Sequence, residues 1–259
     1  MIALITGASS GIGRAMALNL ASRGIDLILV ARSYDKLIEV KREIRSFSSV
    51  RVKLITKDLS INEECIELHE EVSAVRVDIL INNAGFGLFG KFDETDLNTE
   101  LNMIDLNIKS LHTITKLFLP DFKKRDRGYI LNVASIAGFL AGPYMSTYYA
   151  TKNYVLQLTK AIHEELRLDG SNVYIGAFCP GPVDTNFNNV AQVSFSASQI
   201  SAQEAADYAI EKMFSRKLVI VPTLPIKALS VVSRLVPTQM MLYCTSLVQK
   251  ARLDSAKKK

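Results

Sequence analysis

The sequence predicts an α/β fold, a doubly wound parallel sheet of seven strands with helices on both faces. Two observations lead to this fold class. Short runs of β-branched and other apolar residues alternate with longer amphipathic stretches from the start of the chain. The short runs are almost continuously apolar instead of alternating with polar residues, which is typical of parallel strands buried on both faces.

Seven predicted strands follow one another, each separated from the next by a segment long enough for a helix. They are Ile2 to Thr6, Asp26 to Ala31, Val50 to Thr56, Ile79 to Asn82, Tyr129 to Val133, Val173 to Phe178 and Leu218 to Val221. Right-handed crossovers would bring the loops after these strands to one edge of the sheet, where ligands of open α/β folds bind. No repeat or Pro/Gly/Ser-rich linker divides the chain, so residues 1–259 are expected to form a single domain.

The composition is that of a globular protein, with 48% hydrophobic and 22% charged residues in a chain of 259. Its net charge of +5 does not predict a nucleic-acid partner, because basic and acidic residues are interspersed. The three cysteines and three histidines lack the spacing of metal ligands, so no metal site is expected. With no leader ahead of the first strand and no apolar run of about 18 residues, we expect a cytoplasmic protein.

A glycine-rich turn joins the first predicted strand to a helix. Glycine lets the backbone turn tightly and approach a pyrophosphate, and the helix N-terminus offers free N–H donors. An ordinary strand-to-helix turn is the alternative, but the strand before and the helix behind favour dinucleotide binding. The residues expected to contact the cofactor here are Gly7, Ser9, Ser10, Gly11, Ile12 and Gly13.

The end of the second predicted strand carries Arg32, where an NAD-binding site usually has a carboxylate for the ribose 2′-hydroxyl. A guanidinium group can pair with a 2′-phosphate instead, so we expect NADP(H) as the cofactor. The alternative is a solvated surface arginine without this role.

Further motifs follow the later strands in order: Asn82-Asn83-Ala84-Gly85, then Ser135, then Tyr148 and Lys152 four residues apart, then Pro180-Gly181 with Thr185. Together with the glycine-rich turn, this set resembles the short-chain dehydrogenase/reductase family of the classical, NADP-preferring type. The resemblance covers roughly residues 1–190. It implies a Rossmann-type sheet, hydride transfer between a nicotinamide and a carbonyl or alcohol, and a homodimer or homotetramer.

The family resemblance also implies further cofactor contacts. Asp58 would lie against the adenine ring, and residues 83–85 would line the cofactor. Capping of a helix is the alternative for Asp58. The further residues that match the family's cofactor site are Asp58, Leu59, Asn83, Ala84, Gly85, Tyr148, Lys152, Pro180, Gly181, Val183 and Thr185.

The family's catalytic residues are matched by Asn107, Ser135, Tyr148 and Lys152. Tyr148 and Lys152 are spaced i to i+4, so on a helix both lie on one face. A nearby ammonium group and the nicotinamide ring are expected to lower the tyrosine pKa, so that it acts as acid and base. Ser135 would donate a hydrogen bond to the substrate oxygen, Lys152 would hold the nicotinamide ribose, and Asn107 would anchor a proton-relaying water.

Some neighbouring residues compete for these roles. Tyr149 is three residues from Lys152 and also a helical neighbour, so spacing does not exclude it, and Tyr144 is a second competitor. The family pattern selects Tyr148. Asn102 lies near Asn107 in the sequence, which leaves that assignment open. Cys179 has no basic partner nearby in sequence, so a packed thiol is favoured over a nucleophile.

Two later segments are expected to shape the substrate site. Residues 183–202 are predicted to form a substrate lid that ends at a Ser201–Glu204 capping box. Its Phe187 and Phe195 would either close over an apolar substrate or pack the lid against the body. Residues 224–251 are predicted to form an amphipathic helical extension that is interrupted at Pro237. Its apolar stripes are expected to cover the cleft or a subunit interface, with contact to a membrane surface as the alternative that is not favoured.

The sequence therefore predicts an NADPH-dependent oxidoreductase that interconverts a ketone or aldehyde and an alcohol, acting on a hydrophobic or medium-sized carbonyl compound. A non-catalytic NADP-binding sensor or scaffold is the alternative, since a fold alone does not establish activity. The presence of both Tyr148 and Lys152 favours the enzyme.

Overall fold

The computed structural model describes residues 1–185, 187 and 199–256. The strands are β1 (Ile2–Thr6), β2 (Asp26–Ala31), β3 (Val52–Thr56), β4 (Ile79–Asn82), β5 (Tyr129–Val133), β6 (Tyr174–Phe178), β7 (Val183–Asp184), β8 (Ile200–Ser201) and β9 (Val219–Ile220). The α-helices are α1 (Gly11–Ser22), α2 (Tyr34–Arg45), α3 (Asn62–Glu71), α4 (Leu97–Ile104), α5 (Leu111–Arg125), α6 (Ser146–Leu168), α7 (Ala202–Phe214), α8 (Leu224–Leu235) and α9 (Thr238–Ala256). A π-helical turn (Asp105–Ser110) and a 3₁₀ turn (Ile136–Phe139) complete the described elements.

All seven predicted strands join one parallel sheet in the order β3-β2-β1-β4-β5-β6-β9, which confirms the predicted fold class. Four strands, β1, β2, β4 and β5, have the predicted bounds, whereas β3, β6 and β9 are shorter than predicted by one or two residues at an end, where the hydrogen-bonded ladder stops. The order reverses between β1 and β4. That switch point opens a crevice at the carboxyl ends of these strands, where ligands of this architecture bind.

Each face of the sheet has its own apolar core. One core joins the sheet to α1, α2 and α7 through residues such as Ile5, Met16 and Met213. The other joins it to α3, α5 and α6 through residues such as Leu80 and Phe118. These strands are thus buried on both faces, which explains why their sequences are continuously apolar.

A buried polar row interrupts this apolar sheet near the ends of β4 and β5. Asn82 Nδ2 donates hydrogen bonds to Thr115 Oγ1 at 3.0 Å and to Asn132 Oδ1 at 2.9 Å. Asn132 Nδ2 in turn donates to Thr159 Oγ1 at 3.0 Å. The row therefore connects α5, the two strands and α6.

The segment predicted as a lid begins and ends in a short parallel pair, β7 with β8, that the sequence pattern does not reveal. Strands of two residues are too short to show a periodicity. The predicted capping box of Ser201 and Glu204 is present at the start of α7. Residues 186 and 188–198 lie outside the described part, so the expectation for Phe195 is not addressed.

The C-terminal extension forms two helices, α8 and α9, that are interrupted at Pro237 as expected. Their apolar stripes are not covered by the described body of the same chain, and whether a second subunit covers them stays a prediction. Within the described chain, Val232 and Leu235 of α8 and Met240 and Val248 of α9 are exposed. Among the described residues, no helix is long and apolar enough to cross a membrane.

Candidate active site

The turn between β1 and α1 has the backbone that its glycines predict. Gly7 and Gly11 have φ values of +64° and +53°, a left-handed conformation that side chains with a Cβ rarely adopt. Helix α1 begins at Gly11 without an acidic side chain in its first turn and without a side-chain cap on its N–H groups. This helix start can therefore accept an anionic group.

Asn83 fixes this turn to the end of β4. Its Nδ2 atom donates to the carbonyl oxygens of Thr6 and Gly7 at 3.0 and 3.2 Å. In the opposite direction, Thr6 Oγ1 accepts from the backbone N–H groups of Asn83 and Ala84, both at 3.0 Å. A Cβ atom at Gly13 would lie 2.4 Å from both Asn83 Nδ2 and the Gly7 oxygen, so only glycine fits there.

Arg32 extends from the end of β2 with 68% of its side chain exposed, and its guanidinium group lies 3.9 Å from the Asp58 carboxylate. Asp58 accepts hydrogen bonds from the Ser60 N–H and hydroxyl groups, so it stabilises a turn ahead of α3. Helix α3 begins at Asn62 with Ile61 before it, so Asp58 is not its N-cap. Leu59 is buried in the core and does not present its side chain to solvent.

Ser135 and Tyr148 come together at the carboxyl end of β5. Ser135 follows the strand and accepts a hydrogen bond from Ala137 N–H at 3.1 Å. Tyr148 is on the first turn of α6 and is buried, and its hydroxyl group lies near enough to the Ser135 side chain for Ser135 to lower its pKa. The two hydroxyl groups that the sequence analysis selected can therefore act on one substrate oxygen.

The pKa of Tyr148 differs from the expectation. Burial raises it to about 12, although the Ser135 side chain lowers it in part. The expected lowering relied on the ammonium group of Lys152 and on a nicotinamide ring. Within the chain itself, desolvation of the phenolate is the larger effect, because a buried anion loses its hydration.

Lys152 lies one helical turn after Tyr148. Its Nζ atom donates to the Val133 carbonyl oxygen at 2.9 Å and is 5.9 Å from the centre of the Tyr148 ring. Burial lowers the pKa of this lysine to about 8. The ammonium group thus lies beside the tyrosine as its spacing predicts.

Asn107 is buried within the π-helical turn between α4 and α5, a distortion that often marks functional sites. Its side chain accepts from Phe86 N–H at 3.0 Å and donates to the Phe86 oxygen at 2.9 Å and to Thr151 Oγ1 at 3.1 Å. The side chain therefore holds the loop after β4 against α6. A Cβ atom at Gly85 would lie 2.7 Å from Asn107 Oδ1.

The loop after β6 closes the site beside the glycine-rich turn. The Pro180 oxygen accepts from Ile136 N–H at 2.9 Å, which joins this loop to the one after β5. A Cβ atom at Gly11 would lie 3.2 Å from Thr185 Cγ2, so Thr185 borders the turn. Gly181 is close to Ile226 of α8, and Val183 is buried in β7.

The model of the family described as short chain dehydrogenase matches residues 1–193. The chain belongs to this family. The very-long-chain 3-oxoacyl-CoA reductase of Rattus norvegicus is 32% identical over 193 residues, which are 73% of this chain and 61% of that protein. The chain thus matches less than two thirds of the length of this relative.

Two solved structures share the fold of this family member. A short-chain dehydrogenase from Sphingobium yanoikuyae in complex with NADPH is 32% identical, with a TM-score of 0.82 over 90% of this chain and 93% of the other. The bulky-bulky ketone specific alcohol dehydrogenase from Comamonas testosteroni is 29% identical, with a TM-score of 0.77 over 86% of both chains.

In this family member, an aromatic wall adjoins the tyrosine. Of its residues, the sequence analysis had named Phe187 as a packing or substrate-contacting residue and Tyr144 as a competitor of Tyr148, but not Phe89 or Met145. Phe187 packs on Tyr148 with ring centres 5.5 Å apart, and a Cβ atom at Gly87 would lie 2.8 Å from Phe187. Phe89 and Met145 are buried in the same cluster. The apolar, glycine-containing stretch of residues 85–90 was the available signal, but it has no periodicity that predicts its position.

The competing residues have other partners. The Tyr149 hydroxyl accepts a hydrogen bond from Gln249 Nε2 at 3.0 Å. Tyr144 is half-buried in the aromatic wall, with a φ of +62°. Asn102 is half-buried on α4, ahead of the π-helical turn. Cys179 is fully buried, and this burial raises its thiol pKa to about 12, so it is a packed thiol and not a thiolate nucleophile.

Proposed function

We propose that this chain is an NADP(H)-dependent oxidoreductase that interconverts a ketone or aldehyde and the corresponding alcohol. The observation that carries the proposal is the placement of the Ser135 and Tyr148 hydroxyl groups side by side, with the Lys152 ammonium group 5.9 Å from the tyrosine ring centre. The glycine-rich turn and the ends of β1 and β4 lie at the same edge of the sheet. A cofactor and a carbonyl group can therefore meet there.

The residues at this edge fit a dinucleotide. The left-handed Gly7 and Gly11 keep side chains away from the backbone, and the start of α1 offers N–H groups to a pyrophosphate. Arg32 is exposed and supplies a guanidinium group for a 2′-phosphate, which supports NADP(H) over NAD(H). When bound, the nicotinamide supplies or accepts a hydride.

The protonated state of Tyr148 suits the role of proton donor to a carbonyl oxygen. With a pKa of about 12, its phenol carries a proton at neutral pH and can donate it to the substrate oxygen as negative charge develops there. Ser135 stabilises the same oxygen with a second hydrogen bond. The Lys152 ammonium group offers donors to the nicotinamide ribose and attracts the phenolate that remains after proton transfer.

The aromatic wall supports a hydrophobic substrate. Phe187 and Phe89 extend the apolar surface from Tyr148, so a bulky or aliphatic group beside the carbonyl would be desolvated there. The names of the rat and Comamonas relatives, a 3-oxoacyl-CoA reductase and a bulky ketone dehydrogenase, agree with this substrate class. A homodimer or homotetramer in the cytoplasm remains a prediction.

A panel of ketones and aldehydes of increasing size tests the proposal by the loss of NADPH absorbance, with NADH as the comparison. We expect turnover of bulky carbonyl compounds with NADPH. Tyr148→Phe should lower kcat by at least about 100-fold, a typical contribution of a general acid, while NADPH still binds. The neighbouring Tyr149→Phe is the matched control and should retain kcat within a few fold. Tight NADPH binding without turnover of any carbonyl would instead support the sensor.

A further inference from the structure

The last helix, α9, has an apolar outward face. Met240, Tyr243, Leu247 and Val248 are all exposed, and Cys244 is exposed between them. Their spacing of i, i+3, i+4, i+7 and i+8 places them along one side of the helix. A contiguous apolar surface of this kind is unusual where a protein faces water, and it indicates a binding partner.

Two polar side chains attach the inward face of the same helix to the body. Thr245 Oγ1 donates to the Ala141 oxygen at 3.2 Å, and Gln249 donates to the Tyr149 hydroxyl at 3.0 Å. Gln249 is only 1% exposed, whereas Leu247 is 52% exposed. These two polar side chains thus attach helix α9 to the body, while the apolar side chains of its other face are exposed.

Helix α8 continues the pattern on its outward side. Leu224, Val232 and Leu235 are exposed, and their spacing of i, i+8 and i+11 brings them to one face. On the opposite side, Ile226 packs against Gly181 near the site. Both helices therefore attach to the body through one face and expose apolar side chains on the other.

The sequence from residue 224 to the end also carries the excess positive charge of the chain. Residues 224–259 contain seven Lys or Arg and one Asp, a net charge of +6. The whole chain has a net charge of +5, so the remainder is at −1. The basic surplus is therefore confined to the segment that exposes the apolar faces.

We infer that α8 and α9 dock the protein on the surface of an anionic phospholipid bilayer. An apolar helix face enters the boundary between headgroups and acyl chains, and the net positive charge of residues 224–259 attracts anionic headgroups. A second copy of the chain fits less well, because it would bring two segments of +6 together. A nucleic acid would satisfy the charge but leave the apolar faces in water.

The inference does not depend on the proposed enzymatic function. Vesicle binding is measured without substrate or cofactor, so either proposal can fail alone.

Flotation of the full chain with vesicles tests the docking surface. We expect binding to mixed phosphatidylcholine and phosphatidylserine vesicles, and binding at least about tenfold weaker to phosphatidylcholine alone. Raising the salt concentration from about 0.1 M to about 1 M, which shortens the Debye length from about 10 Å to about 3 Å, should release much of the protein.

Two variants and a matched control assign the binding to this surface. Leu247→Glu and Val248→Glu should each abolish flotation while circular dichroism shows an unchanged fold, because both side chains are exposed. Leu168→Glu makes the same change at a residue that is 70% exposed at the far end of α6, and it should float like the unchanged protein.

Three results would overturn the inference. The first is that the protein does not float with anionic vesicles. The second is that Leu168→Glu and Leu247→Glu lose flotation to the same extent. The third is that Leu247→Glu floats as well as the unchanged protein. A mass in solution that falls from dimer to monomer in Leu247→Glu, without flotation of either protein, would assign the face to self-association instead.

Discussion

Gln249 donates a hydrogen bond to the Tyr149 hydroxyl at 3.0 Å, which attaches α9 to the helix that carries Tyr148. Tyr149→Phe removes an acceptor from a buried amide, a change that typically costs about 1–3 kcal/mol. We expect faster hydrogen exchange over residues 238–256 and a raised KM, with kcat changed only a few fold. Tyr154→Phe, on the same helix and bonded to His112 instead, is the control and should leave that exchange unchanged.

The preference for NADP(H) over NAD(H) should depend on Arg32. The combined change Ala31→Asp and Arg32→Gln removes the guanidinium group and adds a carboxylate for a ribose hydroxyl. A charge-assisted pair contributes about 1.5–3 kcal/mol, so NADPH affinity should fall by roughly 10- to 100-fold and NADH affinity should rise. Titration of both cofactors by fluorescence measures this. Unchanged NADPH affinity would exclude Arg32 from the site.

The depressed pKa of Lys152 predicts a specific pH dependence of stability. A lysine with an ordinary pKa of 10.5 in the unfolded chain and about 8 in the folded one binds more protons when unfolded between these values. The free energy of unfolding therefore rises with pH from about 8 to about 10.5. Tyr148 has the opposite effect on the free energy of unfolding, which it lowers as the pH rises from about 10 to about 12, because burial raises its pKa from 10.0 to about 12.

Urea unfolding of the protein and of Lys152→Met between pH 7 and pH 10 isolates this effect. The unchanged protein should gain about 2–3 kcal/mol relative to the variant over that range. Parallel curves for the two proteins would show that Lys152 retains an ordinary pKa in the folded state.

The close approach of Gly13 to Asn83 predicts that Gly13→Ala disrupts the cofactor turn. The added Cβ atom would lie 2.4 Å from Asn83 Nδ2, and such overpacking costs about 1–3 kcal/mol. NADPH affinity should fall by at least about tenfold, as measured by titration, because the backbone that approaches the pyrophosphate must shift. Gly24→Ala is a matched control. It has no atom within 4 Å of the added Cβ but a φ of +73°, so it should lower stability without lowering NADPH affinity.

The fold could be predicted from the sequence because its strands are uniformly apolar runs between helix-length segments. The glycine turn and the Tyr148–Lys152 pair could be predicted because local spacing determines their geometry. The pKa of Tyr148 could not, since it depends on burial by residues distant in sequence. The sequence left open whether the α9 stripe faces the body or a partner, because an apolar periodicity identifies one face without showing which way it points. Assignment of the individual site residues to catalysis stays a prediction.

The row formed by Thr115, Asn82, Asn132 and Thr159 has a consequence for strand pairing. Apart from Asn82, Tyr129 and Asn132, the residues of β4 and β5 are interchangeable aliphatic ones, so apolar burial alone discriminates weakly between alternative alignments of the two strands. Asn82 and Asn132 are paired across the ladder, and a slip of β5 would bury both carboxamides among hydrocarbons without their mutual hydrogen bond. Two amides therefore specify the register of the strands that deliver Asn83 and Ser135 to the same edge of the sheet.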